Sequence, residues 1–384
     1  MGLHLILQLY QKMKKITFLT DSYYPSVGGA QRLIQTLAEE LSKKDFVINV
    51  ITRRIPKTKS YEKINNVNVF RIKSFRYFFE PLILIHSITN NKIREVIVNS
   101  DILQGFGYFT ARAVYLLSKL FKKKGIITVY EYIGKKWLKL LGIKGILNYL
   151  YERSIFFFHY DWIITISHST MNDLKEITKS NIKVIYPFID TNLFRPIPKK
   201  NTRTKIFTFI YYGRPGITKG IDYLIKAFHQ LSQENQRIRL KLILADKPEK
   251  NKKKLLNLLN KLKNPRIILD KSKPINELIK EINHADCVVV PSLTEGFGYT
   301  AAEASALKKP IVATTAGSLP EVILNEKTGI LVKPFSVREL YLGMKRILND
   351  KNRDFFGSNG REYIKKFNKQ ETINNHLRIY QNLI

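Results

Sequence analysis

Short apolar, β-branched runs recur along the chain, separated by longer stretches with helical periodicity. KITFLT (15–20) leads into the amphipathic GGAQRLIQTLAEELSKK. VINVIT (47–52), VNVFRI (67–72), DILQGF, GIITVY and WIITIS (162–167) follow, with helix-like stretches between them. After IKVIYPFID (182–190) the pattern breaks at NLFRPIPKKNTRTK, which is rich in proline and charge. It then resumes as IFTFIYYG, LKLILAD, PRIILD, DCVVVPS, PIVATT and GILVKP. Short strands alternating with amphipathic helices predict parallel sheets covered by helices on both faces. The proline-rich break predicts a linker. The expected fold is therefore α/β, with two doubly wound Rossmann-like domains in tandem. Ligands of such sheets sit beyond the carboxyl ends of the strands, so the expected site is the cleft between the domains.

Length fits this organisation, because 384 residues, 44% of them hydrophobic, exceed one ordinary core. The expected boundaries are 1–12 for an N-terminal extension, 13–190 for the first domain and 191–205 for the linker. The second domain is expected at 206–365 and a final helical segment at 366–384. MKKITFLTDSYYP reads as a natural start at Met13. No secretory signal and no run of about 20 apolar residues is present, so the expected location is the cytoplasm. The single cysteine, Cys287, excludes a disulfide framework and reads as a small buried hydrophobe within CVVVP.

A net charge of +34 asks for an anionic partner, unless it reflects a lysine-rich proteome. A membrane surface, nucleic acid or a phosphorylated substrate would each serve. The basic residues are spread along the chain, and no nucleic-acid module is recognisable, so nucleic acid is disfavoured.

Candidate chemistry gathers at two strand exits of the second domain. In IFTFIYYG-RPGITKG, Arg214 and Lys219 lie on the loop before the helix IDYLIKAFHQL. Two cations beside a helix N-terminus suit a diphosphate; two surface charges in a lysine-rich protein would look the same. The second exit is PSLTEGFGYTAAEASA (291–306). Gly296 and Gly298 allow close backbone approach, and the amides near Tyr299 and Thr300 open a helix. Glu295 stays on the loop while Glu303 falls in the first turns of that helix. The span between them, at most roughly 12 Å, suits a ligand with a polyol at each end and an anionic middle. A carboxylate accepts from two neighbouring hydroxyls. Favourable charge at a helix N-terminus would explain Glu303 alone, but not Glu295 or the glycines.

These residues resemble the GT-B glycosyltransferases of family 4, the retaining group that uses nucleotide sugars. The resemblance runs over nearly the whole length from Met13. It is specific in GRPGITKG, ADCVVVPSLTEGFGYTAAEASA and PIVATTAGSLPEVILNEKTGILVKP. In the first domain it rests on DSYYPSVGGAQR, ITISHST and VIYPFIDTNLFRP. It implies two domains facing each other across a cleft, with the last helix crossing back to brace the first. It also implies that Glu295 binds donor-sugar hydroxyls, Glu303 the ribose, and Arg214 and Lys219 the diphosphate. Arg214, Lys219 and Glu295 would be the catalytic residues. The amides of Gly296, Phe297 and Gly298 match the segment that touches the sugar. Those of Tyr299 and Thr300 match the segment beside the phosphate, and Gly28 and Gly29 match the first-domain loop near it. One position departs: where the family often carries a histidine on the donor sugar, this chain has Tyr130 and Glu131. Either is a candidate for the contact. His168 reads as structural.

The resemblance further implies a hexosyltransferase-type enzyme that moves a sugar from a UDP- or GDP-sugar with retained anomeric configuration. No Asp-x-Asp tripeptide occurs, so no metal or other cofactor is expected. Related enzymes serve lipid-linked or glycan acceptors. Residues 135–158, with Lys135, Lys136, Lys139 and Trp137, and the stretch 74–85 are basic and aromatic. They read as surfaces for the inner face of an anionic membrane, or as packed segments with lysine stems reaching outward. The rival activities are a sugar-nucleotide epimerase of the same fold and a nucleic-acid-binding protein. A phosphorylase would need a pyridoxal-lysine context that is not found, and a transferase acting on DNA fits the charge alone.

Overall fold

The computed structural model describes residues 13–26, 28–75, 79–197, 206–245 and 249–384. The expected extension 1–12 lies outside the described residues, as do residues 198–205 of the expected linker and 76–78 of the second basic stretch.

Two sheets form. The first runs β3-β4-β2-β1-β5-β6-β7-β8. Its strands are β1 (Lys14–Thr20), β2 (Phe46–Arg53), β3 (Tyr61–Ile64), β4 (Val67–Ile72), β5 (Ile102–Phe106), β6 (Lys124–Val129), β7 (Trp162–Thr165) and β8 (Ile182–Val184). The second runs β11-β10-β9-β12-β13-β14. It is built from β9 (Phe207–Gly213), β10 (Ile238–Leu244), β11 (Ile267–Lys271), β12 (Cys287–Val290), β13 (Ile311–Thr314) and β14 (Ile330–Val332). Every pairing is parallel except that of β3 with β4. Both orders reverse direction beside their first long strand, between β1 and β5 and between β9 and β12. Adjacent crossovers leave on opposite sides there and open a crevice. These are the two Rossmann-like domains of a GT-B fold.

The strands form where the pattern predicts because their β-branched and aliphatic residues are buried on both faces; β1 is buried from Ile16 to Thr20 and β12 throughout. Cys287 is among those buried residues. Two differences have physical reasons. β3 (YEKI) lacks an apolar face, being an exposed edge, and the sequence pattern passes over it. It is set by a turn in which Asn65 and Asn66 both take positive φ, 47° and 66°, as a two-residue hairpin requires. The stretch 182–190 is strand only over Ile182–Val184. Beyond it, Tyr186 turns its ring onto Phe367, with centroids 4.9 Å apart.

The helix Gly29–Ser42 buries Leu33, Ile34, Leu37, Ala38 and Leu41 on one face, the spacing of an amphipathic helix. The final helix, Lys369–Leu383, buries Ile373, Leu377, Ile379 and Tyr380 in the core of the first sheet. Tyr380 is fully buried, and its hydroxyl donates to Gln104 Oε1 on β5. Gln104 in turn donates to Thr128 Oγ1 on β6 at 2.9 Å.

This network predicts two different losses. Tyr380→Phe leaves a buried amide oxygen unpaired and costs about 1–3 kcal/mol; Tyr380→Ala also opens a cavity and costs about 3–5 kcal/mol. Urea unfolding of the variants checks both values and their order.

Candidate active site

The carboxyl ends of β1, β5, β6, β9 and β12 converge on a cleft of about 750 Å³. Every one of the expected site residues lines it: Gly28, Gly29, Tyr130, Glu131, Arg214, Lys219, Glu295, Gly296, Phe297, Gly298, Tyr299, Thr300 and Glu303.

The second sheet supplies the charged floor. Lys219 closes the one-turn helix Ile217–Lys219 after β9. Its Nζ donates to Glu295 Oε2 at 2.8 Å, and Ser292 Oγ donates to the same oxygen at 2.9 Å. Lys219 stands above its ordinary pKa: burial opposes its charge, but Glu295 and Glu131 outweigh that cost. Lys219 is thus tied to the loop glutamate as well as standing near Arg214. Arg214 makes no ion pair with a described carboxylate. Gly298 caps the helix Tyr299–Ala306. The first-turn amides of such a helix have no acceptor within the helix, so they remain available to a ligand.

Glu303 lies within that helix and is buried. Arg32 Nη1, from the helix Gly29–Ser42 of the first domain, stands 3.5 Å from its Oε1. Burial pushes the Glu303 carboxyl up to about 7, with Arg32 pulling the other way. Arg32 lies in the sequence GGAQR, which carries no sign of this role, because only the fold brings it to Glu303.

The two domains touch where two glycines leave room. A Cβ on Gly296 would lie 1.9 Å from the Tyr130 carbonyl oxygen, and one on Gly29 would lie 2.4 Å from the Tyr299 ring. The exit of β6 therefore rests on the loop after β12. Glu131 sits at this contact. Its Oε1 is buried and makes no close hydrogen bond, although the Thr294 hydroxyl stands beside the carboxylate and favours its charge; the hydroxyl of Tyr130 is buried and unpaired. Burial raises the Glu131 carboxyl to about 7, the charge of Glu295 adds to the rise, and Lys219 opposes it. A buried polar atom left unpaired beside a cleft is one that a ligand can satisfy.

Two further carboxylates, neither singled out from sequence, position this machinery. Glu152 accepts from the Ile133 and Gly134 amides at 2.9 and 2.7 Å and from Trp137 Nε1 at 3.2 Å. It thereby fixes the loop that follows Glu131. Glu321, beside β13, accepts from the amides of His168 and Ser169 at 2.9 and 2.7 Å and from the Tyr186 hydroxyl at 2.5 Å. His168 itself opens the helix His168–Leu174, and it is its backbone amide that Glu321 engages. Among the described residues no group of three His, Cys, Asp or Glu side chains is placed to hold a metal ion.

Glu131 generates a pH prediction. Its folded pKa of about 7 lies above the ordinary carboxyl value of 4.5. Between those values the folded state holds more protons, so stability falls as pH rises from 4.5 through 7. Without donor, Glu131→Gln should melt above the parent at pH 8 by about 2–4 °C for each kcal/mol relieved. The gain should vanish as pH falls below 4.5. Melting curves across that range check it; a variant that melts below the parent at pH 8 contradicts it.

Comparison with known proteins agrees with the geometry. The family Glycosyltransferase Family 4 matches residues 27–193 and the family Glycosyl transferases group 1 matches residues 194–369. An uncharacterized glycosyltransferase of Methanocaldococcus jannaschii is 27% identical over 366 residues, covering 94% of this chain and 96% of its own. The sucrose-phosphate synthase of Thermosynechococcus elongatus superposes with a TM-score of 0.82 at 20% identity, over 96% of this chain and 99% of its own. Anabaena HepE, in complex with UDP-glucose, gives a TM-score of 0.74 at 18% identity, over 96% and 100%. Two switch-point clefts closed on each other, with family matches on both sides of the cleft, identify the chain as a GT-B glycosyltransferase of family 4.

Proposed function

We propose that this protein transfers a sugar from a nucleotide diphosphate sugar to a glycan or lipid-linked acceptor, with retention at the anomeric carbon and without a metal ion. The observation that carries the reading is the spacing of charge in the cleft. Glu295 and Glu303 stand at opposite ends of a glycine loop and helix N-terminus, with Arg214 and Lys219 beside them. In this reading Glu303 accepts from the two ribose hydroxyls and Glu295 from the sugar. Arg214, Lys219 and the amides of Tyr299 and Thr300 hold the diphosphate.

As the bond from the anomeric carbon to the diphosphate oxygen lengthens, negative charge builds on the leaving group. Fixed cations and amides in a water-poor cleft stabilise that charge. The acceptor hydroxyl attacks from the face the diphosphate leaves. Its proton passes to the departing phosphate oxygen, so the new glycosidic bond forms with no enzyme nucleophile. Glu131, whose Oε1 makes no close hydrogen bond, is the better candidate than Tyr130 for the remaining sugar contact, because Glu295 and Lys219 act directly on its charge. HepE in complex with UDP-glucose supports a UDP-sugar as the first donor to test.

Thermal stabilisation by a panel of UDP- and GDP-sugars checks the reading. One donor should raise the melting temperature, and Arg214→Ala and Glu303→Ala should each weaken its binding by about tenfold to a hundredfold, the loss of a charge-assisted hydrogen bond. Stabilisation by no donor contradicts the assignment. Transfer should persist in EDTA; activity abolished by EDTA and restored by manganese would contradict metal independence.

A further inference from the structure

The segment after Glu131 forms a helical arm on the first domain. It runs as the helix Lys136–Leu141, the one-turn helix Gly142–Lys144, the helix Gly145–Ser154 and the turn Ile155–Phe157. Its two helices pack on each other, and their anchor is the buried Glu152. The first helix has no buried residue.

The outer side of the arm is apolar to a degree that folding does not explain. Ile143 is 85% exposed, Leu147 75% and Phe157 72%, with Leu138 and Leu150 exposed as well. Large apolar side chains left exposed along one short segment mark an interaction surface. Charge says what kind. Lys135, Lys136, Lys139 and Lys144 are all exposed. The only carboxylate between residues 132 and 160 is Glu152, which is buried and committed to the Ile133 and Gly134 amides. Asp173, on the helix His168–Leu174, is an exposed carboxylate that faces Lys136, but the arm itself adds none. A surface with aliphatic and aromatic tips and a rim where lysines outnumber carboxylates complements an anionic lipid bilayer. A second copy of this chain would bring its own lysines against these, since the same patch repeats across a two-fold interface.

The arm also leads to the chemistry. Glu152 holds the loop bearing Ile133, and Ile133 lines the cleft. Lys139, though exposed, reaches across to the second domain, its Nζ 4.1 Å from the centre of the Phe335 ring.

We propose that this arm is a docking surface for an anionic membrane, with Ile143, Leu147 and Phe157 entering the headgroup boundary and Lys136 and Lys144 meeting lipid phosphates. A bound face so close to Ile133 opens the cleft beside the bilayer, where a lipid-linked acceptor presents its head. The binding claim stands independently of the transferase reading, because it is measured without substrate.

Flotation of the full chain tests it, using vesicles of phosphatidylcholine alone and of phosphatidylcholine mixed with phosphatidylglycerol. The parent should float with the mixed vesicles at low salt, much less with the neutral ones, and should be released by high salt. Each lysine at an anionic surface contributes about fivefold to partitioning, so Lys136→Glu with Lys144→Glu should lose at least about twenty-fold. Ile143→Ser with Leu147→Ser should lose about tenfold or more. Both variants change exposed positions and should keep the parent's melting temperature. Failure of the parent to float, equal binding to neutral and anionic vesicles, or charge variants that float like the parent would overturn the proposal. So would a parent dimer that Ile143→Ser with Leu147→Ser converts to monomer, since the face would then join copies of the chain.

Discussion

A charge removed from water must find an opposite charge, a proton or a ligand, and the cleft of this protein is organised by that constraint. Besides Asp21 at the end of β1, three glutamates line the cleft. Glu295 is held by Lys219 and Ser292. Glu303 is held at longer range by Arg32, across the domain boundary. Glu131 keeps one oxygen with no close hydrogen bond. The order of these arrangements matches the order of their readiness for a ligand. Glu295 is pre-set, Glu303 trades one partner for another, and Glu131 has an acceptor to offer. Both Glu131 and Glu303 are pushed to about 7 by burial. Groups raised in this way beside a cleft are what a binding site retains at a cost to stability.

Topology makes this concentration of charge attainable. Each sheet has one point where neighbouring crossovers diverge, and each such point presents strand ends and helix N-termini on one side only. Facing the two points together brings loops from β1, β5 and β6 against loops from β9 and β12. The fit is close enough that Gly296 has no room for a side chain beside Tyr130, and Gly29 none beside Tyr299. Arg32 to Glu303 and Glu321 to the His168 and Ser169 amides then add polar ties across the same boundary. The final helix, seated by Tyr380 on Gln104, returns the chain to the first sheet. Domain closure and assembly of the site are one event in such a design.

Much of the fold is legible in the chain because a doubly wound sheet buries its strands on both faces, and runs such as CVVVP and GIITVY announce that burial directly. The same logic hides β3, whose edge position leaves YEKI half wet, although the Asn65–Asn66 turn carries a signal that could have marked the hairpin. The candidate site is legible where it is local: Arg214, Lys219, Glu295 and Glu303 each sit on a strand exit recognisable from its glycines. It is illegible where it depends on contact at a distance. Arg32 stands 271 positions from Glu303 in sequence and 3.5 Å from it in space. Glu152 and Glu321 lie in ordinary helical sequence, and only the backbone amides they meet give them a role. Lys139 looks like its neighbours Lys135 and Lys136, yet its ammonium lies over the Phe335 ring of the other domain.

Everything proposed for the cleft depends on Glu295 and Glu303 holding opposite ends of one ligand. Titration calorimetry with the nucleotide diphosphate alone and with its sugar conjugate separates the two ends, using Glu295→Gln and Glu303→Gln. Glu303→Gln should weaken both ligands by a similar factor, about tenfold, the worth of one charged hydrogen-bond acceptor. Glu295→Gln should leave the nucleotide diphosphate nearly unchanged and remove most of the affinity that the sugar adds. Equal effects of both substitutions on both ligands, or a loss confined to the nucleotide in Glu295→Gln, would contradict the assignment of the two glutamates to two ends.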